Sequence, residues 1–373
     1  MRVCANLALV LTSLLISLFL AEFLARMAVD PIDYLLPRIV ADDFLLHRVE
    51  GYSGGHDTWG FRNKEKPKSA AIVCIGDSLT YGISATAQES WPAVLGKIHR
   101  TSVYNMSLGG YGPIQYLYLM RTKAIQLHPK IIIVGFYFGN DFLDVYNEVR
   151  FNKNWSVYGD LGEYGAKAPA FAYQPLPPKV LGRVREWLSR HSVLYAMVTR
   201  TSVLDFIRKR EISSRYIGHA ENLIAFHDDK HNEIFNLSSN TRFLDLRDSR
   251  IKSAMAITKK LILEMRALAE NSGIRLVMAL IPTKERVYGD LLKRDGYLSK
   301  FSRLRNAVDQ EDEARGELTT FLKSSGVEFV DLLPDLAAKV ELQDIYPLAD
   351  GHPNKIGYRV IAETLDQYLG RAR

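Results

Sequence analysis

The feature that most constrains this chain is a rhythm. From residue 71 onward, short and mostly apolar runs alternate with segments of helical length. The runs are 71–75 (AIVCI, ending at Gly76), 103–106 (VYNM), 131–137 (IIIVGFY), 274–281 (IRLVMALI, stopped by Pro282) and 327–332 (VEFVDL). Near-continuous apolar runs of this length are what strands buried on both faces look like. Residues 89–99, 113–127, 250–271, 316–325 and 354–369 carry helical patterns between and after them. Five strands separated by helices predict right-handed crossovers, and so an α/β domain over 71–373 with a parallel sheet covered on both faces. In such sheets ligands bind beyond the C-terminal strand ends, so the loop residues there become the candidates for function.

Composition sets limits on that domain. With 373 residues, 47% hydrophobic and 24% charged, the chain excludes a disordered, collagenous or coiled-coil protein. Two cysteines exclude a disulfide scaffold and a thiolate metal cluster. The net charge of +6 comes without a long Lys/Arg block, so nucleic acid is not an expected partner.

Residues 4–21 (CANLALVLTSLLISLFLA) carry no charge, and Glu22 ends the run. Eighteen residues at about 1.5 Å each lie near the lower limit for crossing a hydrocarbon core of roughly 30 Å. Residues 1–26 are read as an uncleaved signal-anchor. A cleaved signal peptide is the main alternative, although Phe19-Leu20-Ala21 is a poor cleavage site. A buried helix of a soluble protein is a third. The first two place the remainder outside the cytoplasm, on the periplasmic side in a Gram-negative cell.

Residues 27–70 read as a connector. Within it Gly51-Tyr52-Ser53-Gly54-Gly55 matches the G-x-S-x-G elbow formally, but its flanks do not supply the required strand and helix, so a flexible turn is expected. Residues 145–249 break the rhythm and read as an insertion between the third and fourth strands. The stretch from Lys179 to Arg215 holds nine Lys/Arg against three Asp/Glu. It reads as a solvated helical cap or as a surface that meets anionic lipid or an acidic polymer.

Four strand-end or loop motifs can carry chemistry. Gly76-Asp77-Ser78-Leu79-Thr80-Tyr81-Gly82 follows the first strand and puts a serine hydroxyl in a tight strand-to-helix turn. Asn105 to Gly112 ends the second strand with glycines, one of which can turn its N–H toward an oxyanion. Gly139-Asn140-Asp141 ends the third, where an asparagine amide is a neutral donor suited to the same task. Asp350-Gly351-His352-Pro353-Asn354 precedes the last helix, and His352 has the properties of a general base with Asp350 near enough to orient it. The other histidines, His47 among them, have no such setting and receive no role. The segment 284–289 (KERVYG) after the fourth strand reads as a surface loop.

Taken together, Gly76-Asp77-Ser78, Gly110, Gly139-Asn140-Asp141 and Asp350-x-His352 resemble the four blocks of the SGNH, or GDSL, hydrolase family. Trp59-Gly60-Phe61-Arg62 is similar to a segment of its membrane-anchored bacterial members. The resemblance implies a flavodoxin-like three-layer α/β/α sandwich and a serine esterase needing neither metal nor organic cofactor. It implies Ser78 as nucleophile, His352 as base, and an oxyanion hole from the Ser78 N–H, the Gly110 N–H and the Asn140 side chain. Asp77 and Asp141 are expected as turn and cap residues. The sequence departs from the family in one place. The acid usually stands three residues before the histidine, where this chain has Ala349. Either Asp350 reaches the imidazole through a bent loop, or a Ser–His dyad acts with a carbonyl orienting the ring. An ester-bearing carbohydrate or lipid is the expected substrate, with the membrane as partner through the N-terminal helix. An O-acyltransferase with the same residues and a non-catalytic binding module are the alternatives.

Overall fold

The computed structural model of the protein describes residues 2–159, 180–199, 223–237 and 244–371. Its chain divides into two units. One is made of residues 1–40, 49–65 and 174–218; the other of 41–48, 66–173 and 219–373.

The second unit is built on five parallel strands: β1 (Ile72–Gly76), β2 (Val103–Ser107), β3 (Ile131–Tyr137), β6 (Arg275–Ile281) and β7 (Glu328–Asp331). A two-stranded antiparallel hairpin, β4 (Leu223–His227) and β5 (Asn232–Asn236), lies between β3 and β6 in the chain. The sheet order is β2-β1-β3-β6-β7, with Gly76 opposite both Ser107 and Gly135, and Tyr137 opposite Ile281. This is the flavodoxin-like order, an α/β/α arrangement. The chain leaves β1 toward β2 on one side and then returns to β3 on the other, so a crevice opens where β1 and β3 end.

Successive strand residues point to opposite faces. Ile72, Cys74, Ile133, Val277 and Ile281 share one apolar cluster with Trp91 and Leu95 of α3 (Trp91–Ile98) and with Tyr358, Ile361 and Leu365 of α14 (Lys355–Arg371). On the other face α4 (Pro113–Thr122) and α5 (Asp141–Phe151) pack against α8 (Ser249–Asn271).

The sequence pattern predicts a helix only at 316–325, whereas α12 spans Ser302–Ser324. Its inner stripe begins at Leu304 and includes the buried charges Glu311 and Arg315, which hide an otherwise helical apolar period. The expected insertion also looks different in structure. Residues 145–151 continue α5 and bury Val145 and Val149, and the β4–β5 hairpin adds Ile224, Phe226 and Phe235 to the core of the second unit. Of the basic stretch, residues 180–199 are described, and Pro-Leu-Pro-Pro at 175–178 lies outside the described residues.

In the first unit, α1 (Arg2–Ala28) is long and apolar enough to cross a membrane, and its apolar side chains from Val3 to Leu24 stand exposed. A signal sequence fits the same description. Residues 49–65 are held by specific contacts. The Asp57 carboxylate accepts from Trp59 N–H (2.8 Å) and Phe61 N–H (3.1 Å), and Arg62 pairs with Asp33 at 2.8 Å with both side chains nearly buried. Ser53 lies in a single 3-10 turn, where its hydroxyl accepts from Arg38 N–H at 2.6 Å.

Candidate active site

β1 delivers Ser78. Gly76 and Gly135 face each other across β1 and β3, and a side chain on either would collide with the Thr80 hydroxyl. Two glycines therefore let α2 (Ser78–Tyr81) lie directly on the sheet. Asp77 caps this turn, its Oδ1 accepting from Leu79 N–H at 2.9 Å. The carboxyl is fully buried, and burial pushes it up to about 6 despite hydrogen bonds and a nearby His352 that pull it down.

His352 arrives from the loop before α14. Its Nε2 lies 2.9 Å from Ser78 Oγ and its Nδ1 2.7 Å from Asp350 Oδ1. The same Asp350 oxygen accepts from the His352 backbone N–H at 3.0 Å. A carboxylate can receive a hydrogen bond from its neighbour two residues on in this way. That turn is what lets an Asp-x-His spacing serve, since backbone and ring of one histidine converge on one oxygen. With Asp350 accepting, the imidazole carries its proton on Nδ1 and offers the Nε2 lone pair to the serine. Burial pushes the Asp350 carboxyl up, but hydrogen bonds from His352 and Ser84 outweigh it and hold it at about 2.

Among the described residues, the Ser78 N–H, the Gly110 N–H and the Asn140 side chain donate to no protein group. Gly110 has φ +81°, a left-handed conformation that favours glycine. A Cβ on its neighbour Gly109 would lie 3.5 Å from Ser78 Cβ, so this loop borders the serine directly. Asn140 begins α5 without capping it through its side chain, and its Oδ1 is buried and unpartnered. The cap role expected for Asp141 takes another form. Its carboxylate accepts from Tyr137 N–H (3.0 Å) and Tyr116 O–H (2.9 Å), locking the turn in front of the helix.

Four residues to which the sequence assigns no role support this arrangement. His47 Nε2 donates to the Gly109 carbonyl at 2.9 Å, and the Tyr111 hydroxyl donates to the His47 carbonyl at 2.9 Å. Burial pushes the His47 imidazole below its usual range, so it acts as a neutral donor fastening the glycine loop. Ser84, with φ +68°, donates to Asp350 Oδ2 at 2.5 Å. Lys284, expected in a surface loop, is instead buried and ion-paired with Glu233. Its ammonium also donates to the carbonyls of Pro347 (3.2 Å) and Leu348 (3.1 Å), three and two residues before Asp350. These contacts join residues 62, 266 and 63–64 positions apart, and no local sequence pattern signals them.

The sequence matches no protein-family model and no curated protein. The fold is similar to solved structures of low identity. A member of the lipolytic G-D-S-L family from Veillonella parvula is 13% identical with a TM-score of 0.39, covering 80% of this chain and 98% of that one. A GDSL-like lipase from Bacteroides thetaiotaomicron is 11% identical with a TM-score of 0.38, covering 81% and 88%. A catalytic mutant of an acetylxylan esterase from Geobacillus stearothermophilus is 13% identical with a TM-score of 0.37, covering 82% and 96%.

Proposed function

We propose that the protein is a serine ester hydrolase in which Ser78 is the nucleophile, His352 the general base and Asp350 the orienting acid. The observation that carries this reading is the unbroken relay Ser78 Oγ, His352 Nε2, His352 Nδ1 and Asp350 Oδ1, with contacts of 2.9 and 2.7 Å at its two junctions. A serine hydroxyl is a weak nucleophile until a base within hydrogen-bond reach takes its proton, and that base works best when a third group fixes its tautomer.

In the proposed cycle the Ser78 oxygen attacks the ester carbonyl while His352 Nε2 takes the hydroxyl proton. The tetrahedral oxyanion receives the Ser78 N–H, the Gly110 N–H and the Asn140 amide. Donors that are already in place and unspent need no rearrangement as charge develops. The intermediate collapses, the alcohol leaves with the proton held by His352, and an acyl group stays on Ser78. Water then repeats the sequence and releases the acid. The substrate class proposed is an acyl or acetyl ester of an envelope carbohydrate or lipid. In this reading α1 is retained as a signal-anchor and the catalytic unit lies outside the cytoplasm.

Hydrolysis of p-nitrophenyl acetate by the detergent-solubilised full chain tests the proposal. Ser78→Ala is expected to remove turnover while leaving the melting temperature near that of the parent. Turnover close to the parent's in that variant overturns the mechanism.

A further inference from the structure

The first unit holds an arrangement at the end of α1 that the esterase reading does not use. Two helices, α6 (Val180–His191) and α7 (Val193–Thr199), meet at Ser192. Their corner is fastened to α1 by two charged side chains. The Glu22 carboxylate accepts from Val193 N–H (2.9 Å) through Oε1, and from Ser192 O–H (2.8 Å) and Leu194 N–H (3.0 Å) through Oε2. It thereby supplies the acceptors that the first turn of α7 lacks. One turn along α1, Arg26 pairs with Glu22 at 2.7 Å and donates to the His191 carbonyl at the end of α6 at 2.6 Å. Ala25, Leu35 and Val193 close the joint with an apolar cluster.

The position of this joint along α1 matters. The uncharged run ends at Ala21, and Glu22 is the next residue. From Glu22 to Arg26 is about 6 Å of helix at 1.5 Å per residue. A bilayer that takes up residues 4–21 therefore leaves the α6–α7 corner at the depth of the lipid headgroups. The outer surface of α6 suits that depth. Val184, Trp187 and His191 fall on one stripe at helical spacing, and all three are exposed, Trp187 by 59%. Trp187 and His191 stack with ring centroids 5.1 Å apart. Arg183 and Arg185 flank the stripe, both exposed, while Glu186, the acidic residue of this helix, is neutralised by Arg190 at 2.8 Å. An uncovered tryptophan between arginines is costly in bulk water and favourable at a membrane interface, where the ring sits among headgroups and the guanidinium groups meet lipid phosphates.

We propose that α6 and its corner with α7 rest on the surface of the membrane that holds α1, with Trp187 in the interfacial layer and Arg183 and Arg185 against anionic lipid headgroups. This inference rests on reading α1 as a membrane anchor, and the experiment separates the two. The full chain is reconstituted into nanodiscs of phosphatidylcholine with phosphatidylglycerol, with and without bromine on the acyl chains. The tryptophan emission lost in Trp187→Phe isolates the Trp187 signal from Trp59, Trp91 and Trp155. That signal is expected to be quenched in the brominated discs and strong in the unbrominated ones. The double variant Arg183→Glu, Arg185→Glu is expected to lose most of the quenching, and the anionic part of the proposal is overturned by full quenching in that variant. A chain that enters the discs while its Trp187 signal is equal in both kinds overturns the surface contact alone. A chain that does not enter the discs overturns the anchor and the surface contact together. Esterase activity on a soluble ester is expected to be unchanged in all of these variants.

Discussion

Replacing Asp350 by Asn asks whether the relay needs a charge or only a shape. Asn keeps an oxygen where Oδ1 accepts from the His352 ring and backbone N–H groups at 2.7 and 3.0 Å. At the second position its amide faces the Ser84 hydroxyl, which can rotate to accept. What is lost is the negative charge beside the imidazolium that forms during turnover. Burial opposes that charge, and the hydrogen bonds from His352 and Ser84 still hold the carboxyl at about 2, below a starting value of 3.8. At about 1.36 kcal/mol per pK unit the preference for the charged form is roughly 2–3 kcal/mol before screening. The Asp350 side chain is 38% exposed, so solvent screening reduces this to about 1–1.5 kcal/mol. The expected loss in kcat/KM for p-nitrophenyl acetate is therefore about tenfold, and nearer 10⁴ if the tautomer also inverts. The sign for stability follows from the depressed value. The contribution is present above the unfolded-state pKa and is lost only as pH falls through about 2, so melting temperatures of parent and variant should differ by a constant amount from pH 5 to 8. A variant with parental kcat/KM would refute the role of Asp350 and leave a Ser–His pair acting alone.

Asn140→Ala should lower kcat by about 10²–10³ with little change in KM, because the proposed cycle uses that donor mainly in the transition state; a change in KM alone contradicts the assignment. His47→Ala removes the donor to the Gly109 carbonyl and should lower kcat by about tenfold, with partial recovery in His47→Asn; the positioning role is excluded if both variants keep parental kcat. Burial pushes the carboxyls of Asp77 to about 6 and of Glu148 and Glu285 to about 7. Their folded-state values lie above the unfolded ones, so the folded protein binds more protons between about pH 4 and 7, and stability should fall as pH rises through that window. Calorimetry should give a higher melting temperature at pH 5.5 than at pH 8, and the reverse order would contradict the burial of these groups.

The sheet was legible because its inner strands are buried on both faces, which leaves an apolar run such as IIIVGFY that has no competing reading, although the edge strand β7 is exposed at Glu328. Where a charge is buried, the pattern fails. The β4–β5 hairpin went unread because Glu233 interrupts its inner face, and only the distant Lys284 makes that tolerable. Glu311 and Arg315 concealed the first half of α12 in the same way. At the candidate site, Ser78 and Asn140 were legible because strand ends carry them, and His352 because it stands two residues after Asp350 just before the last helix. Asp350 was ambiguous by spacing, and the turn at His352 N–H is a backbone detail that spacing does not encode. His47 and Ser84 were out of reach, since each acts through a partner remote in the chain.

Covalent capture of the serine tests the central claim most directly. The full chain treated with a fluorophosphonate should gain one adduct, located by peptide mass spectrometry on Ser78, with labelling slowed strongly in His352→Ala. Adduct on another residue, or equally fast labelling of Ser78 without His352, would contradict the account.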